Sequence, residues 1–465
     1  MVFLPVVFLA YWYVFQRQLK WQNAFLLVAS YVFYGWWDWR FLSLLFFSSM
    51  ADFAIGLAIE AQSSEKGKRN WVRLSVFLNL ALLGTFKYFN FFVDGLHDLL
   101  LSVGMAPHLP TLRIILPVGI SFYTFQSLSY TIDIRRGRIR ATRDPVAFLA
   151  FVSFFPQLVA GPIERAANLL PQFLAPRTYE RDRAVDGLRQ MLWGFFKKLV
   201  IADGCGVISS EIFAGDVSTT SGITLFFGAF FFAFQIYGDF SGYSDIAIGC
   251  ARLFGIHLNR NFAFPYFSRS ISEFWRRWHI SLSTWFRDYV YMPLGGWRTK
   301  WGRLRNILIT FAVSGFWHGA NWTFIVWGVL HGLYYVPEIL RDGKARRDDA
   351  QLRDLPSILV TFFLVVVAWV FFRAPSVRTG AAYLYYMATN ALVNPGALLK
   401  WGARSEFWWV VLLVVVEWIA RRREHALERL PFSTFLRWTI YLLITIEILL
   451  HLDLQSSHEF IYFQF

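Results

Sequence analysis

The chain has 465 residues, of which 56% are hydrophobic, 20% aromatic and only 16% charged. Soluble globular chains carry about 25% charged residues, so this composition excludes disorder, a secreted disulfide scaffold and an ordinary cytosolic enzyme, and it places the chain in a bilayer. Lys and Arg exceed Asp and Glu by 45 − 31 = 14, but they fall in short clusters between long apolar runs, which is the pattern of cytoplasmic loops and anionic headgroup contacts and not that of a nucleic-acid-binding face.

The first apolar run, Met1–Phe15, ends at Arg17 and Lys20. Positive charge after the run, with no small-residue cleavage site, predicts a retained first helix with its N-terminus outside. Further runs cover about Asn23–Trp36 and Phe41–Ile59 and lead into Lys66, Lys68, Arg69 and Arg73. Next come about Val76–Val93, a loop with Asp94 and Asp98, and Ile114–Tyr130, which reaches the dense cluster Arg135, Arg136, Arg138 and Arg140. Two basic loops separated by two spans must share one side, so the assignments check each other.

The same test holds downstream. Lys197 and Lys198 precede a span, Glu211–Gly222 forms an acidic loop, and Ile223–Tyr237 returns to the basic stretch Arg252–Arg305. Two apolar segments flank Trp317-His318 and lead to Arg341, Lys344, Arg346 and Arg347. The pair Ile358–Phe372 and Phe407–Ile419 reaches Arg421–Arg423, and a last span near Phe435–Leu450 puts the tail 452–465 outside. The expected architecture is an all-α polytopic membrane protein with about eleven transmembrane helices, organised as a single integral-membrane domain over residues 1–465.

Two stretches do not read as plain spans. Ala147–Ile163 contains Pro156 and Gly161-Pro162 and predicts a re-entrant segment, because irregular backbone at membrane depth must be buried in protein or line a cavity. Arg260–Trp301 is too charged to span and too aromatic for an ordinary loop, and predicts amphipathic helices at the cytoplasmic interface. Cys205 and Cys250 have no partner spacing for a disulfide framework or a zinc site. P-loop, HExxH, GxGxxG and GxSxG signatures are missing.

Chemistry has two candidate locations. His318 lies in Ser314-Gly315-Phe316-Trp317-His318-Gly319-Ala320-Asn321-Trp322, inside an apolar hairpin. An ionisable group at that depth marks either a functional site or a structural polar contact, and an imidazole can serve as a general base near neutral pH. The second location is Glu273–Tyr289, where Trp275, Trp278, Leu282 and Trp285 share one helical face while Arg276 and Arg277 project elsewhere. One reading is a helix snorkelling at the headgroups; the other is a basic mouth that attracts a phosphate-bearing donor. His331 reads as a packed, hydrogen-bonded histidine.

The Trp275–Tyr289 block followed by Pro293-Leu294-Gly295-Gly296, the Trp317–Asn321 segment, Asp239-Phe240-Ser241-Gly242-Tyr243-Ser244-Asp245, Phe154–Pro162 and Ile120–Tyr123 together resemble the signature blocks of membrane-bound O-acyltransferases. They are most similar to the bacterial branch of alginate O-acetyltransferase membrane subunits and D-alanyl-teichoic-acid exporter-like proteins. The resemblance implies a helical shell around a central funnel, with His318 as the deep essential histidine and His279 as the second, on the cytoplasmic side. It implies acetyl-CoA as acyl-donor substrate, with no permanently bound cofactor or metal. Arg276 and Arg277 would hold the donor by their charge, and Trp317, Asn321 and Asp203, at further family positions, are the other candidate substrate- or donor-binding residues.

The C-terminal Phe460–Phe465 resembles a short terminal motif whose tyrosine, here Tyr462, is proposed to carry the acyl group. The implied protein sits in the bacterial inner membrane among lipids. It would relay acetyl groups to a periplasmic SGNH-type partner for O-acetylation of an exopolysaccharide or cell-wall glycan. Gln157 stands where the alginate subunits carry a histidine, so the acceptor stays open among alginate, peptidoglycan, cellulose and other glycans. A D-alanyl transferase of the same family, or a transporter or channel for a polar solute, remains the alternative.

Overall fold

The computed structural model describes residues 2–105, 116–295, 299–341, 349–390 and 395–452. Among the described residues the regular structure is helical, with no strand. The first ten helices are α1 (Phe3–Leu9), α2 (Leu19–Asp38), α3 (Arg40–Ala61), α4 (Glu65–Leu83), α5 (Phe89–Ser102), α6 (Ile120–Arg135), α7 (Pro145–Ser153), α8 (Phe155–Leu158), α9 (Ala166–Leu174) and α10 (Arg181–Phe195). They are followed by α11 (Asp203–Ala214), α12 (Gly222–Leu253), α13 (Ile271–Arg277), α14 (Ile280–Phe286), α15 (Lys300–His318), α16 (Trp322–Tyr334), α17 (Val336–Leu340), α18 (Leu355–Arg373), α19 (Val377–Thr389), α20 (Pro395–Gly402), α21 (Ser405–Ala420) and α22 (Thr434–Leu450).

Among the described residues, five helical stretches are long and apolar enough to cross a membrane: Arg40–Ala61, Glu65–Ser102, Gly222–Leu253, Trp322–Leu340 and Leu352–Arg373. The other apolar runs lie mainly on helices that are shorter or more polar, and the run Ile114–Tyr130 is helical only from Ile120, its first two residues lying outside the described ones. The protein is an all-α polytopic membrane protein. The helix α12 has 32 residues and, at about 1.5 Å each, runs about 48 Å, beyond the about 30 Å of a hydrocarbon core.

The chain divides into two compact units, Met1–Gly187 with Ala247–Asn259, and Leu188–Ile246 with Arg260–Phe465. In the first unit, α3, α4 and α6 are joined by polar side chains. Asp52 accepts hydrogen bonds from Ser75 at 2.6 Å and Asn79 at 2.8 Å, and the Ser75 hydroxyl lies 2.9 Å from that of Thr131. A lone carboxylate is tolerable inside a helical layer only when such donors replace water.

The re-entrant reading of Ala147–Ile163 fits the backbone. Asp144 caps α7 through the Val146 and Ala147 N–H groups. The helix stops at Phe154, resumes for one turn as α8, and gives way to irregular chain before α9. The segment is buried along nearly its whole length, as unpaired backbone near lipid requires.

In the second unit the dominant feature is the α15–α16 hairpin. Its closeness depends on two glycines. A Cβ at Gly315 would stand 2.1 Å from the Phe324 carbonyl oxygen, and one at Gly328 would stand 2.2 Å from that of Phe311. Both contacts are to backbone, so a methyl group could enter only by separating the helices. Gly328→Ala should cost about 1–3 kcal/mol of stability, read as a lower melting temperature of the solubilised protein. An unchanged melting temperature would mean that the hairpin tolerates a wider spacing.

Candidate functional site

The site is built in the second unit from the end of α15 and the turn between α13 and α14. His318 is the last residue of α15, and it is 4% exposed. Its ring lies among aromatic rings: Trp317 at 4.9 Å, Trp327 at 5.1 Å and Phe372 at 5.4 Å between centroids. The chain reverses immediately afterwards because Asn321 caps α16. Its side chain accepts from the Thr323 N–H at 3.0 Å and donates to the Pro375 carbonyl at 3.1 Å. Asn321 thus aims the hairpin that presents His318.

The aromatic face read from Trp275 to Trp285 is buried as its spacing predicts, but it is not carried by one continuous helix. The chain breaks at His279, whose φ of 43° is left-handed, a conformation that non-glycine residues rarely adopt and that clusters at functional sites. The tryptophans then pack on protein. Trp275 meets Phe311 at 5.1 Å and Trp327 at 5.7 Å, and Trp278 meets Trp369 at 5.2 Å. The break turns His279 fully inward, against Phe240 at 4.5 Å and Trp317 at 6.3 Å. Trp317 therefore touches both candidate histidines.

A cavity of about 500 Å³ is lined by residues of α13, α14, α15 and the turn after α14, together with Tyr335, and reaches Ile280, the residue after His279. Three guanidinium groups border it, those of Arg276, Arg287 and Arg303. Arg287 pairs with Asp288 at 2.7 Å. Arg276 and Arg303 have no ion pair or side-chain hydrogen bond among the described residues. Ser314 also lines the cavity, four residues and about one helical turn before His318.

The two adjacent arginines take different parts. Arg276 faces the cavity, whereas Arg277 pairs with Glu273 at 2.9 Å and donates to the Ala263 carbonyl at 3.2 Å. Glu273 is itself buried and shared with Arg269, which also reaches Asp354. Arg277 thus belongs to the scaffold under the cavity.

Asp203 stands elsewhere, in a partly buried ion-pair cluster at a π-helical turn, Phe196–Ala202. Lys198 bridges Asp203 at 2.7 Å and Asp239 at 2.8 Å, while Lys197 pairs with Asp245 at 2.6 Å and donates to Ser241 at 2.9 Å. The Asp239–Asp245 motif is thereby tied to the π turn. Tyr462 and the 453–465 tail lie outside the described residues.

His331 is the packed histidine expected. It is fully buried and accepts at Nδ1 from the Trp275 indole N–H at 3.2 Å. Sequence reasoning missed Arg287 and Arg303 as cavity residues, because a basic cluster on the inner side looks the same whether its charges face headgroups or a cavity. It also missed Asn261, which touches His279 from 18 positions away.

With this geometry in place, the chain matches the model of the membrane-bound O-acyltransferase family over residues 31–388. The chain belongs to that family. It is 45% identical to the probable alginate O-acetylase AlgI of Azotobacter vinelandii, over 80% of this chain and 73% of the relative. To the peptidoglycan O-acetyltransferase of Helicobacter pylori it is 37% identical, over 82% and 77%. A teichoic acid D-alanyltransferase of Bacillus subtilis is 29% identical over 49% of this chain and 60% of the relative. The protein is an integral-membrane O-acyltransferase.

Burial pushes the His279 imidazole well below its ordinary pKa of 6.5. The unfolded chain then binds a proton that the folded one excludes, so stability falls as pH drops below about 6.5, at most by about 1.4 kcal/mol per unit. Melting temperatures between pH 7 and pH 5 should decline more steeply for the wild type than for His279→Gln. Parallel slopes would show that His279 protonates freely in the folded state.

Proposed function

We propose that this O-acyltransferase takes acetyl groups from cytoplasmic acetyl-CoA and relays them across the bacterial inner membrane for O-acetylation of an extracytoplasmic glycan. One observation carries the reading: a cavity bordered by two guanidiniums that have no ionic partner among the described residues ends one helical turn from a buried histidine. Guanidinium forks suit the phosphates of a nucleotide thioester, and the alginate and peptidoglycan relatives described above are named as O-acetylating proteins.

On this reading, the thioester C–S bond breaks and an ester C–O bond forms on an acceptor hydroxyl, either the Tyr462 phenol or a glycan alcohol. The hydroxyl proton passes to His318 as general base and from there to the departing CoA thiolate. His279 assists from the other side of Trp317. An SGNH-type partner outside the membrane completes transfer to the glycan. Alginate and peptidoglycan both stand among the relatives' substrates, and the D-alanyl relatives match less of the chain.

The test uses purified protein and radiolabelled acetyl-CoA. Thiol release should fall about 10²- to 10⁴-fold in His318→Ala, and label retained on protein should vanish in Tyr462→Phe. Release that persists without His318 would remove it as the base. No turnover in any variant, with the partner supplied, would favour solute transport. Separately, Arg276→Ala and Arg303→Ala should each raise KM for acetyl-CoA about tenfold or more through loss of a charge-assisted phosphate contact, with kcat little changed. A KM that does not move would dissociate the cavity from the donor.

A further inference from the structure

Asn261 makes several of the hydrogen bonds that hold the turn carrying His279. Asn261 is fully buried, and its main-chain carbonyl accepts the Ile280 N–H at 2.8 Å. Its side-chain Oδ1 accepts from the Ser281 N–H at 3.2 Å and the Ser281 hydroxyl at 2.9 Å, and lies 3.1 Å from His279 Nδ1. On the far side, Asn261 Nδ2 donates to the Ser244 hydroxyl of α12 at 3.1 Å.

These contacts determine where the imidazole proton resides. A backbone N–H can only donate, so the Asn261 atom facing Ser281 N must be the amide oxygen, and the amide orientation follows. An amide oxygen cannot donate, so the hydrogen between it and the ring comes from His279 Nδ1. In the neutral ring the lone pair is then on Nε2. That atom is buried and has no hydrogen-bond partner among the described residues. His331 is set the other way: the Trp275 indole N–H can only donate, so His331 Nδ1 is the acceptor and its proton sits on Nε2.

We infer that Asn261 is the positioning residue of His279, anchored on Ser244, and that it holds the imidazole in the Nδ1–H tautomer so that Nε2 is the proton-accepting atom. The orienter-and-base relation is general: a third group fixes the tautomer of the histidine that does the proton transfer. Its consequence for turnover rests on the proposed part of His279 in acyl transfer, whereas the tautomer itself does not. Asn261 touches no reacting atom and acts only through the ring.

The test is the imidazole ¹⁵N spectrum of the full-length protein in lipid, with ¹⁵N-labelled histidine and His279→Gln to assign the signals. It is paired with steady-state kinetics on acetyl-CoA. The expected wild-type spectrum has protonated Nδ1 and bare Nε2 at His279, with the reverse at His331 as an internal control. Asn261→Leu should lose the single His279 tautomer and lower kcat about 10- to 100-fold, while KM for acetyl-CoA stays within about twofold. Asn261→Asp is isosteric and keeps the acceptor for Ser281 and the ring. It should retain protonated Nδ1 and recover part of kcat, which keeps the inference testable where the leucine variant does not fold.

A wild-type His279 protonated on Nε2 would overturn the inference, as would an Asn261→Leu variant with unchanged tautomer and kcat. A His279→Gln enzyme that turns over acetyl-CoA at the wild-type rate would overturn the catalytic reading of His279 instead. The wild-type spectrum would still decide what Asn261 does to the ring.

Discussion

Everything at the site depends on how closely α15 and α16 approach each other. With no side chains at Gly315 and Gly328, two backbone carbonyls lie where a Cβ would otherwise be. The hairpin can therefore bring Trp327 beneath His318 and His331 beneath Trp275. In lipid there is little hydrophobic drive to join two apolar helices, so tight backbone contact and packed rings supply the attraction. The resulting aromatic enclosure packs Trp317, Trp327 and Phe372 around the His318 imidazole and leaves it little exposed.

Much of this was legible in the sequence, because lipid imposes few solutions. Apolar runs of sufficient length must be helices, and among the described residues the runs read from composition lie mainly on helices. His318 stood out because an ionisable residue in an apolar hairpin has few bland explanations. The extent of α12 was less legible. The run was read as Ile223–Tyr237, but the helix continues to Leu253, since Asp239, Ser241 and Asp245 interrupt the hydropathy without interrupting the backbone. Their cost is offset by Lys197 and Lys198, which no local pattern connects to them.

The finer assignments failed to show for the same reason. Arg276 and Arg277 are equivalent by charge and neighbourhood, and only the position of Glu273, shared with Arg269, tells which one is scaffold. The stripe of tryptophans correctly announced a buried face, yet the left-handed break at His279 could not be read from it, because the turn there is in contact with the distant Asn261. Buried networks of this kind leave a partner uncompensated when one member is removed. Neutral, hydrogen-bonding residues far apart in sequence carry the geometry, and they leave the weakest trace in composition or periodicity.

Among the described residues the guanidiniums of Arg276 and Arg303 have no ionic partner, and this has an electrostatic consequence. Two like charges that border one cavity repel one another and draw small anions from solution. Because the Debye length is about 8 Å at physiological ionic strength, an anionic ligand that enters the cavity exchanges places with this small-ion atmosphere. Occupancy of the cavity by any anion therefore depends on the salt around the protein as well as on the ligand's own concentration.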